Sequence, residues 1–159
     1  MLEKGYIKPN TDGRRGRLNF FPTFFDDIGL EVINPHDRKT KAGKLPIYIE
    51  SVPEGAKGTF SLLYVPFDLL GKPESEVKSE VAEDLDCVFE ALKEMMLTYG
   101  FSAKKSSGFG VIKDEFEESL FDINGIDIEE KDKQFKNFLE LEEKVKSVKQ
   151  KLLKEESKK

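Results

Sequence analysis

Apolar residues recur with two different periods along this chain, and the change falls near residue 70. Between Gly16 and Phe67 they come in short runs bounded by Pro, Gly and Asn, the signature of strands and turns. From Glu74 onward they fall at Val77, Val81, Leu85, Val88, Leu92, Met95 and Tyr99. Steps of four and three make one face of a helix about 25 residues long. Pro73 suits the start of that helix and Gly100 suits its end.

Within the first region, "GRLNFFPTFF" reads as a strand interrupted by Pro22, which favours an edge or a bulge. The next run sets Ile28, Leu30 and Val32 on one side and Gly29, Glu31 and Ile33 on the other, as a half-buried strand does. Asn34-Pro35 ends it, and the basic loop "HDRKTKAGK" follows. "LPIYIESV" and "GTFSLLYVPF", with a turn at Pro53, Glu54 and Gly55 between them, are expected to pair with each other as a hairpin. After the long helix, "FGVIKDEF" is expected to be a closing strand. From Glu129, Phe135, Phe138, Leu139, Val145, Val148 and Leu152 predict one amphipathic helix that frays after Leu153. The expected fold class is α+β: a mainly antiparallel sheet with helices on one face, plus a C-terminal amphipathic helix. The division expected is a main domain, 1–128, and a charged helix, 129–159.

Composition narrows the functional classes. At 159 residues, 38% hydrophobic and 36% charged, the chain suits one domain with a core. A net charge of −5 argues against a uniformly basic coat but leaves room for a local basic face. Cys87 is the one cysteine, so no disulfide forms within the chain, and a reducing, cytoplasmic setting is expected. Its place in the helical pattern predicts a small buried hydrophobe. One cysteine and one histidine, His36, do not make a zinc site of the usual type. No apolar run reaches membrane-span length, and the N-terminus has no apolar core of signal-peptide length, so no membrane partner is expected. The Lys and Glu load would suit a thermophile.

Candidate chemistry follows. Asp26 and Asp27 are neighbours on a strand, so they point to opposite faces and do not readily cooperate. His36 beside Asp37 has the form of a base and its orienter. No nucleophile motif and no Walker A motif accompanies them, so no catalytic residue, metal or cofactor is expected. Three basic clusters stand out: Arg14, Arg15 and Arg17; His36, Arg38, Lys39, Lys41 and Lys44; and Lys104 with Lys105. They form either one positive face for a nucleic-acid backbone or simply solvated loops. In "KKSSGFGVIK", Gly108 and Gly110 admit backbone angles that other residues avoid. That turn is either a phosphate-approaching loop or a plain connector.

"GRLNFFPTFF", "LEVINPHD", "PIYIESVPEGAKGTFSLL" and "SAKKSSGFGVI", in that order, resemble the C-terminal part of a Cmr-module RAMP protein of the CRISPR-associated superfamily. Pro46, Ile47, Tyr48, Val52 and Gly55 match its strand-turn. Gly100, Lys105, Ser106, Gly108 and Gly110 match its glycine-rich loop. The likeness covers residues 14–113. It implies a ferredoxin-like, RRM-related fold and a non-catalytic subunit that binds guide RNA beside other effector subunits in a type III interference complex. It implies that the glycine-rich loop lies against RNA backbone, its amides and Lys104 or Lys105 meeting phosphates and Phe109 stacking on a base or packing beneath the loop. With the basic clusters added, the RNA-binding residues expected are Arg14, Arg15, Arg17, His36, Arg38, Lys39, Lys104, Lys105, Ser106, Ser107, Gly108, Phe109 and Gly110. Members are usually about twice this length, so the resemblance implies either a split subunit, whose partner chain supplies the N-terminal half, or a truncated one. The alternative is a RAMP-type ribonuclease using Asp26, Asp27 or His36. A protein–protein adaptor that acts through its last helix is a third reading.

Overall fold

The computed structural model describes residues 16–101 and 108–154. The chain divides into two compact units, Met1–Phe67 and Asp68–Lys159. The first holds the strands and the second the long helices, an α+β composition in which all strand pairing is antiparallel.

The first unit contains β1 (Leu18–Phe20), β2 (Gly29–Ile33), β3 (Ile47–Ser51) and β4 (Leu62–Tyr64). β2 pairs with β3 from Gly29↔Ser51 to Ile33↔Ile47. β1 pairs with β4 from Leu18↔Tyr64 to Phe20↔Leu62. One ladder is nested inside the other, and the bridges Phe25↔Gly58 and His36↔Gly43 continue the same pairing. Residues 17–36 therefore run out and 43–65 return as one interrupted ribbon. The step from Phe20 to Phe25 is one residue longer than that from Leu62 to Gly58, so the ladder bulges at Pro22. Proline has no N–H for the ladder and is tolerated at such a place.

This pairing corrects the expected hairpin of "LPIYIESV" with "GTFSLLYVPF". Gly55 (φ 90°) and the Ala56 N–H to Pro53 carbonyl bond make the expected turn, but it only redirects the chain. The partner of β3 is β2, because the loop between those two closes on itself with its own hydrogen bonds. The alternation of β2 is also reversed. Ile28, Leu30 and Val32 are 65%, 71% and 56% exposed, so the apolar side expected to be half-buried lies open. None of residues 16–67 is fully buried.

In the second unit, α1 (Glu74–Glu94) runs on into one wider, π-helical turn, Met95–Tyr99. Gly100 (φ 72°) stops it, its N–H donating to the Met95 carbonyl at 2.8 Å. Ala82, Phe89 and Met96 are its buried residues, one position round from the expected line, which is half-buried at Val81, Leu85 and Val88. Cys87 is exposed, a correction with a simple cause. Two residues before Phe89 is about 200° round the helix, on the side away from the core.

The expected single terminal helix is broken into α2 (Glu130–Lys133) and α3 (Phe138–Lys154). The break at 134–137 is held in place. The Phe135 N–H donates to Ser119 Oγ, whose hydroxyl donates back to the Phe135 carbonyl. Asn137 Oδ1 accepts the Glu140 N–H at 2.9 Å, and Asp114 Oδ1 accepts the Phe138 N–H at 2.7 Å. Four unpaired N–H groups open any helix, and these two side chains satisfy two of them here. Residues 111–116 form no strand. The expected closing strand is instead a connector whose Ile112 N–H donates to the Met96 carbonyl.

α3 packs along α1. The Phe138 ring lies 6.2 Å from Phe89 and 5.4 Å from Phe116, edge-on to the latter. Val148 and Leu152 close on Ala82, ringed by Phe121, Ile123, Ile126 and Ile128. Burying each such side chain contributes roughly 1.5–3 kcal/mol. At the rim, Glu142 bonds Lys146 at 2.5 Å and Lys93 at 3.4 Å, and Lys149 pairs with Asp86. Among the described residues no helix is long and apolar enough to cross a membrane.

Candidate nucleic-acid interface

Residues 36–44 form the closed end of the ribbon, and one carboxylate organises it. Asp37 Oδ1 accepts the N–H groups of Lys39 (2.9 Å) and Thr40 (3.0 Å). The Asp37 carbonyl accepts the Lys41 N–H, and the Asp37 N–H donates to the Ala42 carbonyl, both at 2.9 Å. Aspartate favours such turns because its short side chain reaches the amides two and three residues ahead. Those two amides, Thr40's first, hold the Asp37 carboxyl below the usual carboxylate range. Asp37 Oδ2 stands 3.5 Å from Lys44 Nζ.

His36, Arg38, Lys39, Lys41 and Lys44 are all exposed on this end. Lys41 sits at φ 59°, the one described non-glycine residue in the left-handed region. Bulky side chains avoid that region, at a cost of about 1–2 kcal/mol. Residues 1–67 carry ten basic and eight acidic residues, while residues 68–159 carry sixteen and twenty-three. Positive charge is thus relatively concentrated in the ribbon unit, and within it at the turn.

Arg17 lies half-buried at the other, open end of the ribbon, where its carbonyl accepts the Val65 N–H at 2.8 Å. The register therefore separates Arg17 from the 36–44 cations along the ribbon. Arg14, Arg15, Lys104, Lys105, Ser106 and Ser107 lie outside the described residues.

Gly108 (φ 81°) and Gly110 (φ 84°) both need glycine's freedom, but for different reasons. A Cβ on Gly110 would sit 1.9 Å from the Phe101 carbonyl oxygen, and one on Gly100 would sit 2.5 Å from that of Phe109. With the Phe101 N–H donating to the Gly110 carbonyl at 2.9 Å, these two glycines close the neck of the 102–107 segment. Among the described residues no atom lies within 4 Å of such a Cβ on Gly108. Phe109 is half-buried.

The ribonuclease candidates do not converge. Asp26 Oδ1 accepts the Lys57 N–H at 2.7 Å, Asp27 Oδ1 accepts the Ile28 N–H at 2.8 Å, and both residues are exposed. Asp37, expected to orient His36, spends its carboxylate on the turn and Lys44. Among the described residues no three His, Cys, Asp or Glu side chains cluster as metal ligands would. Sequence reasoning treated Asp37 only as a histidine partner and missed its turn-forming role. The signal was an Asp opening a short polar loop between two strands. No protein-family model, curated protein or solved structure gives a significant match to this chain.

Proposed function

We propose that the chain is a non-catalytic, guide-RNA-binding subunit of a type III CRISPR interference complex, with a ferredoxin-like, RRM-related sheet completed by another polypeptide. The resemblance in residues 14–113 supplies the family. The observation that carries RNA binding is the 36–44 turn. Arg38, Lys39 and Lys41 are exposed there, make no ion pair among the described residues, and project from a turn pinned by backbone bonds. Phosphate contacts draw their strength from such cations through counterion release. The open apolar residues of the ribbon, Phe24 at 82% exposure foremost, favour a covering protein chain as well.

The test is RNA binding by the full chain, alone and co-expressed with its neighbouring genes, across a salt series. Replacing Arg38 and Lys39 together by Ala should weaken binding of any RNA sequence and lower the salt slope by roughly one to two units. An unchanged slope sinks this assignment of the site. The ribonuclease reading predicts instead cleavage of labelled RNA that disappears in Asp26→Ala or His36→Ala.

A further inference from the structure

We propose that Asp37, the one carboxylate of the 36–44 turn, is the positioning residue of this RNA-binding surface, so that binding polyanionic RNA depends on its side-chain oxygen as the acceptor that forms the turn, and not on its charge. The inference rests on the RNA-binding reading above. Charge alone predicts the opposite, because an aspartate among cations repels phosphate and masks Lys44 at 3.5 Å. Geometry decides otherwise. Asp37 Oδ1 holds the amides of Lys39 and Thr40, and its carbonyl holds that of Lys41, so the backbone that carries Arg38, Lys39 and Lys41 is tied to this one residue. Three long cationic side chains on a floppy loop would each lose more freedom on meeting a phosphate than three on a fixed turn.

Lys41 points the same way. At φ 59° it occupies a place where Gly or Asn would be more comfortable. A costly residue held in a well-bonded turn is reason to look for function there. The reason offered is its ammonium group, a third exposed cation on the turn that carries Arg38 and Lys39.

Asp37→Asn and Asp37→Ala separate the two effects. Both remove the same charge, but asparagine keeps an oxygen acceptor for the turn and alanine does not. The measurement is fluorescence anisotropy of a labelled single-stranded RNA with the full chain, in the complex it forms when co-expressed. Asp37→Asn should bind as tightly as the unaltered chain or tighter, since Lys44 is released. Asp37→Ala should bind roughly three- to tenfold more weakly than Asp37→Asn, the loss of one or two turn bonds. Lys41→Gly should leave the melting temperature unchanged or raised and still weaken binding. If Asp37→Ala and Asp37→Asn bind alike while the Arg38, Lys39 double replacement still weakens binding, this inference fails and the RNA-binding site stands. If the double replacement has no effect, both fail.

Discussion

Phe138 in the second unit is 2% exposed and Phe24 in the first is 82% exposed, although both come from segments rich in phenylalanine. The difference lies in what each element can lay across its apolar side. α1 and α3 are two stripes that face each other, so Phe89 meets Phe138 and Ala82 meets Val148 and Leu152. A two-stranded ribbon has two faces and no layer for either. In β2 and β3, Leu30, Val32 and Tyr48 lie on one face and Ile33, Ile47 and Ile49 on the other. Strands apolar on both faces belong inside a layered sheet. The second unit is therefore held by burial, and the first by ladder hydrogen bonds and cross-strand pairs of about 0.2–1 kcal/mol each. Such ribbons are marginal in water without further strands or a packed layer.

The sharpest way to break this comparison is to delete one ring from each unit. Phe89→Ala should cost about 3–5 kcal/mol in urea unfolding, and Phe24→Ala should stay within about 0.5 kcal/mol. Equal losses would mean that the ribbon has a core of its own. Next in size is the neck. Gly110→Ala forces a methyl group against the Phe101 carbonyl as well as an unfavourable φ, and should cost more than about 2 kcal/mol. Gly108→Ala meets no atom of the described residues and should cost about 1 kcal/mol, for its φ. Thermal melts of the two variants order them.

The smallest effect is that of acid on the α1–α3 rim. Lys146, then Lys93, hold the Glu142 carboxyl below its ordinary range. A carboxyl depressed on folding adds stability that is fully present above its unfolded value, about 4.3, and is lost as pH falls through the lower folded value. Helix melting should therefore soften as pH drops below about 4, and Lys146→Met should flatten that dependence. An acid limb identical in Lys146→Met would remove Glu142 from the account.

α1 was legible in the sequence because its period runs unbroken from Val77 to Met95 between Pro73 and Gly100. The break before α3 was not, since the Lys and Glu load reads as helix throughout. Its mark was local: Asn137 with Glu140 three residues on, a capping arrangement. The strands of the first unit were legible as strands, but not their partners. Alternation states which residues share a face and says nothing about which strand lies beside them. At the candidate site, residue types revealed the cations of the turn. The ordering role of Asp37 became visible only through its bonds to Lys39 and Thr40.

Nesting also dictates an order of assembly. Leu18–Phe20 meets Leu62–Tyr64 across some forty intervening residues; Asn19 and Leu63 are 44 apart in sequence. Each halving of the chain that must be closed spares about 0.6 kcal/mol. Closure at the Asp37 turn is therefore expected first, β2–β3 pairing next, and β1–β4 last. During synthesis, β1 leaves the ribosome long before its mate exists. Its phenylalanine-rich continuation then waits as an unpaired, apolar segment, open to any chaperone or partner chain that reaches it before residue 64 is made.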